Sequence, residues 1–425
     1  MTVLFGALVL LILLGLPVGV ALAGSSLIYL LMSERLPEIV MMQRMVAGVD
    51  SFVLLAVPFF VLAGSLMNAC GVTDRIFAFA MAGVGWMKGG MGHVNVGASV
   101  LFAGMSGAAV ADAGGLGAVE IKAMRDRNYD DDFAIGITAA SSTIGPIIPP
   151  SLPMVIYGVA ASASIGQLFV AGILPGLLMA VLLMAVVWVI AHRRGYPADE
   201  TFHIAKLGRT FLRAGLSLMT PVIIVGGILL GVFTPTESAV AAVAYVLILG
   251  VLVYRRLSAA ALVRILIETV ETSSVLLFIV AASGIFSWIL SREGVPTDFA
   301  QWVTSISDNP ILIILFLNLV LLVVGCFMEP GAAIMILTPV LLPIAADVGI
   351  EPVQFGVIMV LNLMIGLLTP PVGLVTFTLA RVSGVTMAFA VKATAPFFIA
   401  LVLALLCVSF IPGLTMWLPS VFYGG

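Results

Sequence analysis

The sequence predicts an all-α, polytopic membrane protein with two inverted-topology repeats, each containing a re-entrant helical hairpin and a discontinuous transmembrane helix. The first observation is the composition. Of the 425 residues, 62% are hydrophobic and 9% are charged, whereas a soluble domain has about 45–50% apolar and about 25% charged residues. The second observation is a set of rare motifs that occurs twice. The third is a difference in charge between corresponding loops, which indicates that the repeats are inverted.

Two Pro-Pro dipeptides mark the duplication. They occur only at Pro149-Pro150 and Pro370-Pro371, and each follows a glycine by the same interval, in Gly145-Pro-Ile-Ile-Pro-Pro and Gly366-Leu-Leu-Thr-Pro-Pro. From position 149 to position 370 the offset is 221 residues. The same offset aligns four further pairs: Gly104 with Gly325, Ser162 with Ser383, Val170 with Val391, and Pro175 with Pro396. Such a register indicates an internal duplication.

Basic residues orient the repeats, because short cytoplasmic loops are enriched in Lys and Arg. The connector 191–214 and the loop 119–132 are both rich in basic residues and are expected to face the cytoplasm. The counterpart of that loop, from Asp347 to Pro352, has no basic residue and is expected on the opposite side. We therefore predict a first repeat over residues 1–205 and a second, inverted repeat over residues 206–425.

Both repeats are predicted to contain the same elements. These are interfacial arm helices over about 33–50 and 255–272, hairpins over about 92–120 and 311–347, and broken helices over about 133–161 and 355–380. Residues 1–31 are interpreted as one retained membrane span, since no basic stretch precedes the apolar run. Apolar runs over 215–233 and 236–254 make one excursion across the membrane, and Glu237 between them is expected to cap the second helix.

The paired breaks predict a secondary transporter. Irregular backbone at membrane depth is tolerated only where it is buried in protein or lines a wet cavity. Inverted repeats with broken helices typically place substrate and ion sites where the repeats meet, and their exposed carbonyl oxygens coordinate cations. The candidate ligands are hydroxyls of Ser106, Ser142, Thr143 and Thr369 together with backbone carbonyls at Gly145, Gly325 and Gly366.

Ionisable residues within the apolar segments are further candidates. Asp112 and Glu329 lie deep in such segments, where a charge is costly and often functional, although either could instead be a structurally paired carboxylate. Arg381 could attract an anion or could pair with a structural carboxylate. The small hydroxyl of Ser106 could equally bond a neighbouring helix carbonyl.

Three stretches resemble the large membrane subunit of the tripartite ATP-independent periplasmic (TRAP) transporters, the DctM-like family. They are Gly145–Ser151, the segment from Gly366 to Gly373, and "GCFMEPGAAIMILTPVLLP" from Gly325 to Pro343. The resemblance extends over essentially the whole chain. It implies a multi-pass protein of the bacterial inner membrane that belongs to the ion-transporter superfamily and uses an elevator-like mechanism. It also implies sodium as the coupling ion and no other cofactor.

The resemblance further implies two partners and two sodium sites. The partners are a separate small four-helix membrane subunit and a periplasmic binding protein that delivers an organic acid, such as a C4-dicarboxylate or sialic acid. One sodium site would lie between Ser106-Gly107 and the Ser142 to Gly145 break, and the other between Gly325 to Met328 and Gly366 to Thr369. The candidates for substrate or gating contacts are Ser106, Ser151, Glu329 and Arg381.

Two alternatives remain open from the sequence. The nearer is a stand-alone ion-coupled anion carrier or exchanger of the same superfamily, without a binding protein. The more distant is an intramembrane enzyme, but the chain contains no His-Glu-x-x-His motif and no Gly-rich Lys-Ser/Thr nucleotide loop. The lack of that loop predicts that the chain is not an ATPase and uses an ion gradient.

Overall fold

The prediction of an all-α membrane protein is confirmed. A computed structural model describes residues 1–33, 37–307 and 309–424, and the side chains of residues 104–106 and 306 are outside this description. The described residues form helices and no β-strand. Seven of the helices are long and apolar enough to cross a membrane.

The first half of the chain contains eleven α-helices within the described ranges. They are α1 (Thr2–Leu13), α2 (Val18–Met32), α3 (Ile39–Val49), α4 (Ala56–Ala69), α5 (Val72–Val84), α6 (Gly90–Ser106), α7 (Ala109–Gly114), α8 (Leu116–Arg125), α9 (Asp131–Ser142), α10 (Leu152–Ala160) and α11 (Ile165–Arg194). A short 3₁₀ turn, Phe52–Leu55, precedes α4.

The second half contains ten more α-helices in its described part. They are α12 (Ile204–Leu229), α13 (Pro235–Ile248), α14 (Ala259–Arg292), α15 (Val295–Ile306), α16 (Pro310–Gly325), α17 (Pro330–Asp347), α18 (Pro352–Gly366), α19 (Leu374–Ser383), α20 (Met387–Phe410) and α21 (Gly413–Tyr423). A π-helical turn, Leu249–Val253, extends α13.

Both predicted broken helices are present. Helix α9 ends at Ser142 and α10 begins at Leu152, while α18 ends at Gly366 and α19 begins at Leu374. The prolines between each pair of helices have no N–H to continue the helical hydrogen bonding. The second break also contains Gly373 with φ +52°, a left-handed conformation that favours glycine. The Pro149-Pro150 and Pro370-Pro371 bonds are both cis.

Each broken helix lies beside a helical hairpin. The first hairpin consists of α6, α7 and α8, and it turns at Gly107, whose φ is +60°. The second consists of α16 and α17, and the Glu329 carboxylate caps α17 by accepting from the Ala332 N–H at 3.1 Å. In both halves the hairpin therefore precedes the broken helix in the order that the 221-residue offset predicts.

The two halves exchange their packing partners. Helix α9 packs against α20, and α18 packs against α11. Likewise α10 packs against α17, and α7 against α19. Close approaches between small residues accompany this exchange: a Cβ on Gly114 would lie 3.5 Å from Thr378 Cγ2, and one on Gly331 would lie 3.2 Å from Ile156 Cδ1. Hairpins and broken helices of both halves therefore form one packed unit, which we call the central unit.

A second group of helices borders the central unit. The long helix α14 packs against α2, α3 and α4, and α13 packs against α4 and α12. Helices α3 and α14 approach closely, since a Cβ on Gly284 would lie 3.3 Å from Gly48 Cα. We call α1 to α5 together with α12 to α14 the outer group. Helix α4 of this group also contacts α6 and α10 of the central unit.

The capping role expected of Glu237 is present. Thr234 accepts from the Glu237 N–H at 3.3 Å, and Glu237 Oε2 accepts from the Thr234 N–H at 2.8 Å, which forms a capping box at the start of α13.

Two predicted elements differ from the structure. Residues 1–31 form two short helices that pack against each other rather than one span, because Gly15 (φ +82°) and Pro17 interrupt the apolar run. The second predicted arm, 255–272, is not a separate helix but the beginning of the continuous α14. No Gly or Pro lies between 257 and 283 to break it, whereas after α3 the backbone leaves the helical region at Asp50 and Ser51.

Candidate functional site

A cavity of about 470 Å³ lies where the hairpin turns and the helix breaks meet. Hairpin and break residues of both halves line one side, and α4 and α14 of the outer group line the other. The lining residues are Gly107 to Ala111, Pro146, Leu152, Pro153, Ile156, Glu329 to Gly331, Met364, Leu367, Leu374, Val61, Gly64, Ser65, Asn68, Thr272 and Leu276. The volume lies within the range of about 300–1,000 Å³ that is usual for small-molecule sites.

The first break presents oxygen atoms that are not used by the fold. The hydroxyls of Ser142 and Thr143 donate to the carbonyls of Ala139 and Ala140 at 2.8 and 2.6 Å, so their lone pairs are directed away from the helix. Among the described hydrogen bonds, the backbone carbonyls of Ser142, Thr143 and Gly145 accept none. These oxygens could coordinate a hard cation, which prefers oxygen ligands.

The first hairpin turn and a buried carboxylate lie against this break. A Cβ on Gly107 would lie 2.9 Å from the Pro150 carbonyl oxygen and 3.3 Å from the Leu152 nitrogen. The Asp112 carboxylate contacts the Cα side of Gly145 so closely that a Cβ there would overlap its Oδ2 atom. Asp112, 33 residues before Gly145 in the sequence, therefore brings a carboxylate to the first break. Ser106, also predicted here, has its side chain outside the described residues.

The second break is built on a glycine contact. A Cβ on Gly366 would lie 2.5 Å from the Gly325 carbonyl carbon and 2.9 Å from its oxygen, so only two glycines fit this helix crossing. The Thr369 hydroxyl donates to the Ile365 carbonyl at 3.0 Å, the same arrangement as at the first break. In the described hydrogen-bond network, the carbonyls of Gly325 and Thr369 accept no bond, whereas the predicted ligand, the Gly366 carbonyl, accepts from the Thr369 N–H at 2.9 Å. The Met328 N–H donates to the Val324 carbonyl at 3.0 Å, and its side chain packs against the hydrophobic core.

A buried asparagine joins hairpin and broken helix in the first half. Asn95 Nδ2 donates to Glu120 Oε2 at 2.7 Å and to Thr138 Oγ1 at 2.8 Å, and its Oδ1 accepts from the Ser141 hydroxyl at 2.6 Å. Asn95 and Ser141 are fully buried. The Asn95 side chain thus connects α6, α8 and α9. Its partner Ser141 is one residue before the candidate ligand Ser142.

The second half contains an equivalent contact. Asn318 Oδ1 accepts from Asn362 Nδ2 at 2.7 Å, and Asn318 Nδ2 donates to the Ser409 hydroxyl at 3.1 Å. Asn362 lies four residues before Gly366, just as Ser141 lies four residues before Gly145. We call these two contacts the asparagine clasps. Our sequence reasoning missed them, although polar residues at matched positions before the two glycines were a usable signal.

The predicted substrate candidates occupy different places. Glu329 lines the cavity, where its carboxylate caps α17 through the Ala332 and Gly331 N–H groups. Ser151 does not face the cavity, because its hydroxyl donates to the Pro146 carbonyl and accepts from the Met154 N–H, which makes it the cap of α10. Arg381 is exposed near the end of α19 and does not line the cavity.

Neutral polar side chains line the outer wall of the cavity. Ser65, Asn68 and Thr272 lie there, and Glu329 is the one ionisable side chain among the described lining residues. Asn68 Oδ1 accepts from the Thr73 hydroxyl at 2.9 Å, which leaves the Nδ2 donors available to a ligand. Sequence reasoning missed these residues because nothing in the sequence indicates that α4 and α14 approach the breaks.

Ion pairs join the ends of α8, α9 and α11 within the first half, and one of their arginines also bonds to the second half. Arg125 donates to Asp131 at 2.7 Å and to the Ser383 carbonyl of the other half at 3.0 Å. Arg194 donates to Asp132 at 2.6 Å, and this guanidinium holds the pKa of Asp132 below its ordinary value. These contacts lie at the edge of the central unit that the basic loops predict to face the cytoplasm.

Comparisons with known proteins identify relatives over nearly the full length. The family model described as "Tripartite ATP-independent periplasmic transporter, DctM component" matches residues 5–414. The sialic acid TRAP transporter large permease protein SiaM of Vibrio cholerae is 47% identical over 410 residues, covering 96% of each chain. The C4-dicarboxylate TRAP transporter large permease protein DctM of Pseudomonas aeruginosa is 38% identical and covers 87% of each chain.

A solved structure shares the fold. The crystal structure of the Alcanivorax borkumensis YdaH transporter, described as having an unusual topology, matches with a TM-score of 0.63. The match covers 88% of each chain at 14% sequence identity. At this identity the likeness concerns the arrangement of helices alone.

Proposed function

Since the chain belongs to the DctM component family of tripartite ATP-independent periplasmic transporters, we propose that it is the sodium-coupled translocation subunit of an importer for a sialic acid. Members of this family are transporter permeases, so a transport role rather than an enzymatic one is the starting point. The observation that carries the proposal is that two helix breaks meet at one cavity, and that at each break some backbone carbonyls accept no hydrogen bond from the described residues.

Sodium binding is proposed at each break. At the first, the hydroxyls of Ser142 and Thr143 and the carbonyls of this break would act with the hairpin turn at Ser106-Gly107. At the second, the Thr369 hydroxyl and the carbonyls of Gly325 and Thr369 would act with the turn that ends at Met328. An ion at either place binds the hairpin and the broken helix together. The cavity between them is then better formed, so sodium raises substrate affinity and substrate raises sodium affinity by the same factor.

The movement that we propose is of the elevator type. The central unit contains all the candidate sodium ligands. Within it, helices of the first half pack against helices of the second half. Among the described lining residues, those of the outer group lie on α4 and α14. Displacement of the central unit along these two helices would expose the cavity first to one side of the membrane and then to the other. Residues 1–205 and 206–425 are proposed as the inverted repeats.

Glu329 supports a sialic acid over a C4-dicarboxylate. A carboxylate oxygen accepts hydrogen bonds but repels another carboxylate. The Glu329 carboxylate lines the cavity and has lone pairs beyond those used in the α17 cap, so it can accept from hydroxyl donors, which a polyhydroxylated sugar acid offers and succinate does not. The bound sodium ions would balance the single carboxylate of the sugar acid. The 47% identical relative named for sialic acid agrees with this choice.

The proposal includes two partners and a location. As implied by the family, the chain would act in the bacterial inner membrane with a small membrane subunit and a periplasmic binding protein that delivers the substrate. A stand-alone anion carrier of the same fold is the other possibility, and the experiment below distinguishes the two.

Uptake by proteoliposomes tests this function. The chain is reconstituted with the small membrane subunit of the same organism, and the binding protein is added outside with radiolabelled N-acetylneuraminate. We expect uptake with an inward sodium gradient, little uptake with potassium or choline, and weak competition by succinate. Uptake that is independent of sodium would refute the coupling, and preference for succinate would refute the substrate. Full activity without the binding protein would favour the stand-alone carrier.

A matched pair of variants tests the role of Glu329. Glu329→Gln keeps an acceptor for the α17 cap but removes the charge, so it should weaken N-acetylneuraminate uptake while reducing the discrimination against succinate. Glu237→Gln removes a carboxylate from an exposed cap outside the cavity and should change neither preference. If both variants keep the discrimination of the original protein, Glu329 does not select the substrate.

A further inference from the structure

A second cavity, separate from the transport site, has the properties of a phosphate-binding pocket. Its volume is about 550 Å³, and it lies between α5, α12 and the segment that follows α13. Two arginines and a tyrosine line it together with apolar residues of α12. The residues on which the argument rests are Arg75, Arg213, Tyr254, Asp74, Leu212 and Leu216.

Arg75 is held in place but is not neutralised. Its guanidinium carbon stacks on the Tyr254 ring at 3.3 Å from the centroid, and the Tyr254 hydroxyl is in turn bonded to Ser217 Oγ at 3.0 Å. The Nη1 atom of Arg75 is buried and makes no hydrogen bond within the described part of the chain. A buried guanidinium donor without an acceptor costs free energy, because its hydration has been lost.

The pocket contains more positive charge than its own carboxylate balances. Asp74 faces Arg256, at 3.8 Å. Among the described residues, neither Arg75 nor Arg213 forms an ion pair. A phosphate group suits two such arginines, since guanidinium groups bind phosphate with charge-assisted hydrogen bonds.

The sequence of α12 places this pocket at the level of the lipid headgroups. Arg213 is the last charged residue of α12, and an apolar run continues from Ala214 to Leu229. Lys206 and Arg209 precede it on the same helix, which orients this end toward the cytoplasm. Leu212 and Leu216, on either side of Arg213, are 78% and 45% exposed, so an apolar surface leads from the pocket into the hydrocarbon region.

We propose that this pocket binds an anionic phospholipid of the cytoplasmic leaflet, with its phosphate between Arg75 and Arg213 and its acyl chains along Leu212 and Leu216. Basic pockets between membrane helices on the cytoplasmic side bind such headgroups. The lipid would neutralise the free donor of Arg75 and join α5 to α12, the helix that links the two halves of the chain. This binding is independent of the substrate and of sodium.

Native mass spectrometry and thermal unfolding of the purified chain, with its small subunit if the two purify together, test the proposal. The protein is delipidated in detergent and titrated with dioleoylphosphatidylglycerol, dioleoylphosphatidylcholine or inorganic phosphate. We expect one phosphatidylglycerol to be retained and the unfolding midpoint to rise. Phosphatidylcholine and inorganic phosphate should do neither, because one lacks net charge and the other lacks acyl chains.

Variants then locate the lipid. Each basic residue near a membrane contributes about 1 kcal/mol to such binding, which corresponds to a roughly fivefold loss of affinity for Arg213→Gln and a larger loss when Arg75→Gln is added. Arg213 is exposed, so its replacement alone keeps the fold testable. Arg193→Gln removes the same charge from an exposed site outside the pocket and should retain the lipid.

Three results would overturn the proposal. Equal retention of phosphatidylcholine would show that charge is not recognised. Equal loss of lipid in Arg193→Gln and Arg213→Gln would show a diffuse basic surface rather than this pocket. Unchanged lipid retention in the double variant together with loss of the small subunit would assign the arginines to a protein contact.

Discussion

Replacing Gly366 by alanine should weaken sodium binding at the second break. The new Cβ would lie 2.5 Å from the Gly325 carbonyl carbon and 2.6 Å from its Cα. Both are backbone atoms, so no side chain can rotate out of the way. Because ordinary contacts begin near 3.4 Å and interiors are close-packed, α16 and α18 must separate by about 0.9 Å.

The separation changes both stability and ligand geometry. Overpacking of this kind costs about 1–3 kcal/mol. Binding sites need their ligands within about 0.5 Å of the productive positions, and here the carbonyls of Gly325 and Thr369 move apart. We expect the sodium affinity to fall about tenfold, which is equivalent to about 1.4 kcal/mol.

Thermal unfolding in sodium chloride and in choline chloride at equal ionic strength measures this loss. If sodium is present at a hundredfold excess over Kd, it stabilises the protein by about 2.7 kcal/mol, and a tenfold weaker affinity reduces this increment to about 1.4 kcal/mol. Gly226→Ala adds the same methyl group within α12 where nothing lies within 4 Å, so it should leave the increment intact. A full sodium increment in Gly366→Ala would refute the placement of an ion at this crossing.

Contacts outside the breaks give three further predictions. Asn95→Leu leaves Glu120 and Ser141 without their buried partner, so it should lower the free energy of unfolding by about 2–3 kcal/mol and raise the sodium concentration for half-maximal uptake. The control Thr394→Val removes a buried hydroxyl that is bonded only within α20, and it should change the sodium response little. Because Arg194 lowers the pKa of Asp132, the pair stabilises the fold at pH values above the ordinary carboxyl pKa, and this stabilisation is lost as the pH falls through the lowered pKa of Asp132. Acid unfolding of Asp132→Asn should lack this pH-dependent stabilisation, which is at most about 1 kcal/mol for a partly exposed pair. Thr234→Ala should destabilise α13 by about 1 kcal/mol in calorimetry, without changing the sodium increment.

Local sequence rules predict the parts of the site that depend on the backbone. Proline lacks an N–H and glycine permits close approach, so Gly145, Gly366 and the two Pro-Pro pairs are enough to locate the breaks along the chain. Their duplication predicts that the breaks are equivalent. The capping box at Glu237 is likewise readable, because its residues are three positions apart.

The parts that sequence rules miss depend on contacts between segments distant in sequence. Asp112 against Gly145 and the two asparagine clasps require a knowledge of which helices are neighbours. Ser151 was predicted to face the cavity, but a serine before a helix also caps it, and here the cap uses its hydroxyl. The second predicted arm does not end at position 272, because α14 has no Gly or Pro between 257 and 283 that would stop the helix.

Equilibrium binding of radioactive sodium to the purified chain tests the two-site proposal most directly. We predict saturable binding that potassium and choline do not displace, that falls when either Ser142→Ala or Thr369→Ala is introduced, and that is largely lost when both are combined. Thr394→Val should retain it. Unchanged sodium binding in the Ser142→Ala/Thr369→Ala double variant would contradict the assignment of the ions to the helix breaks.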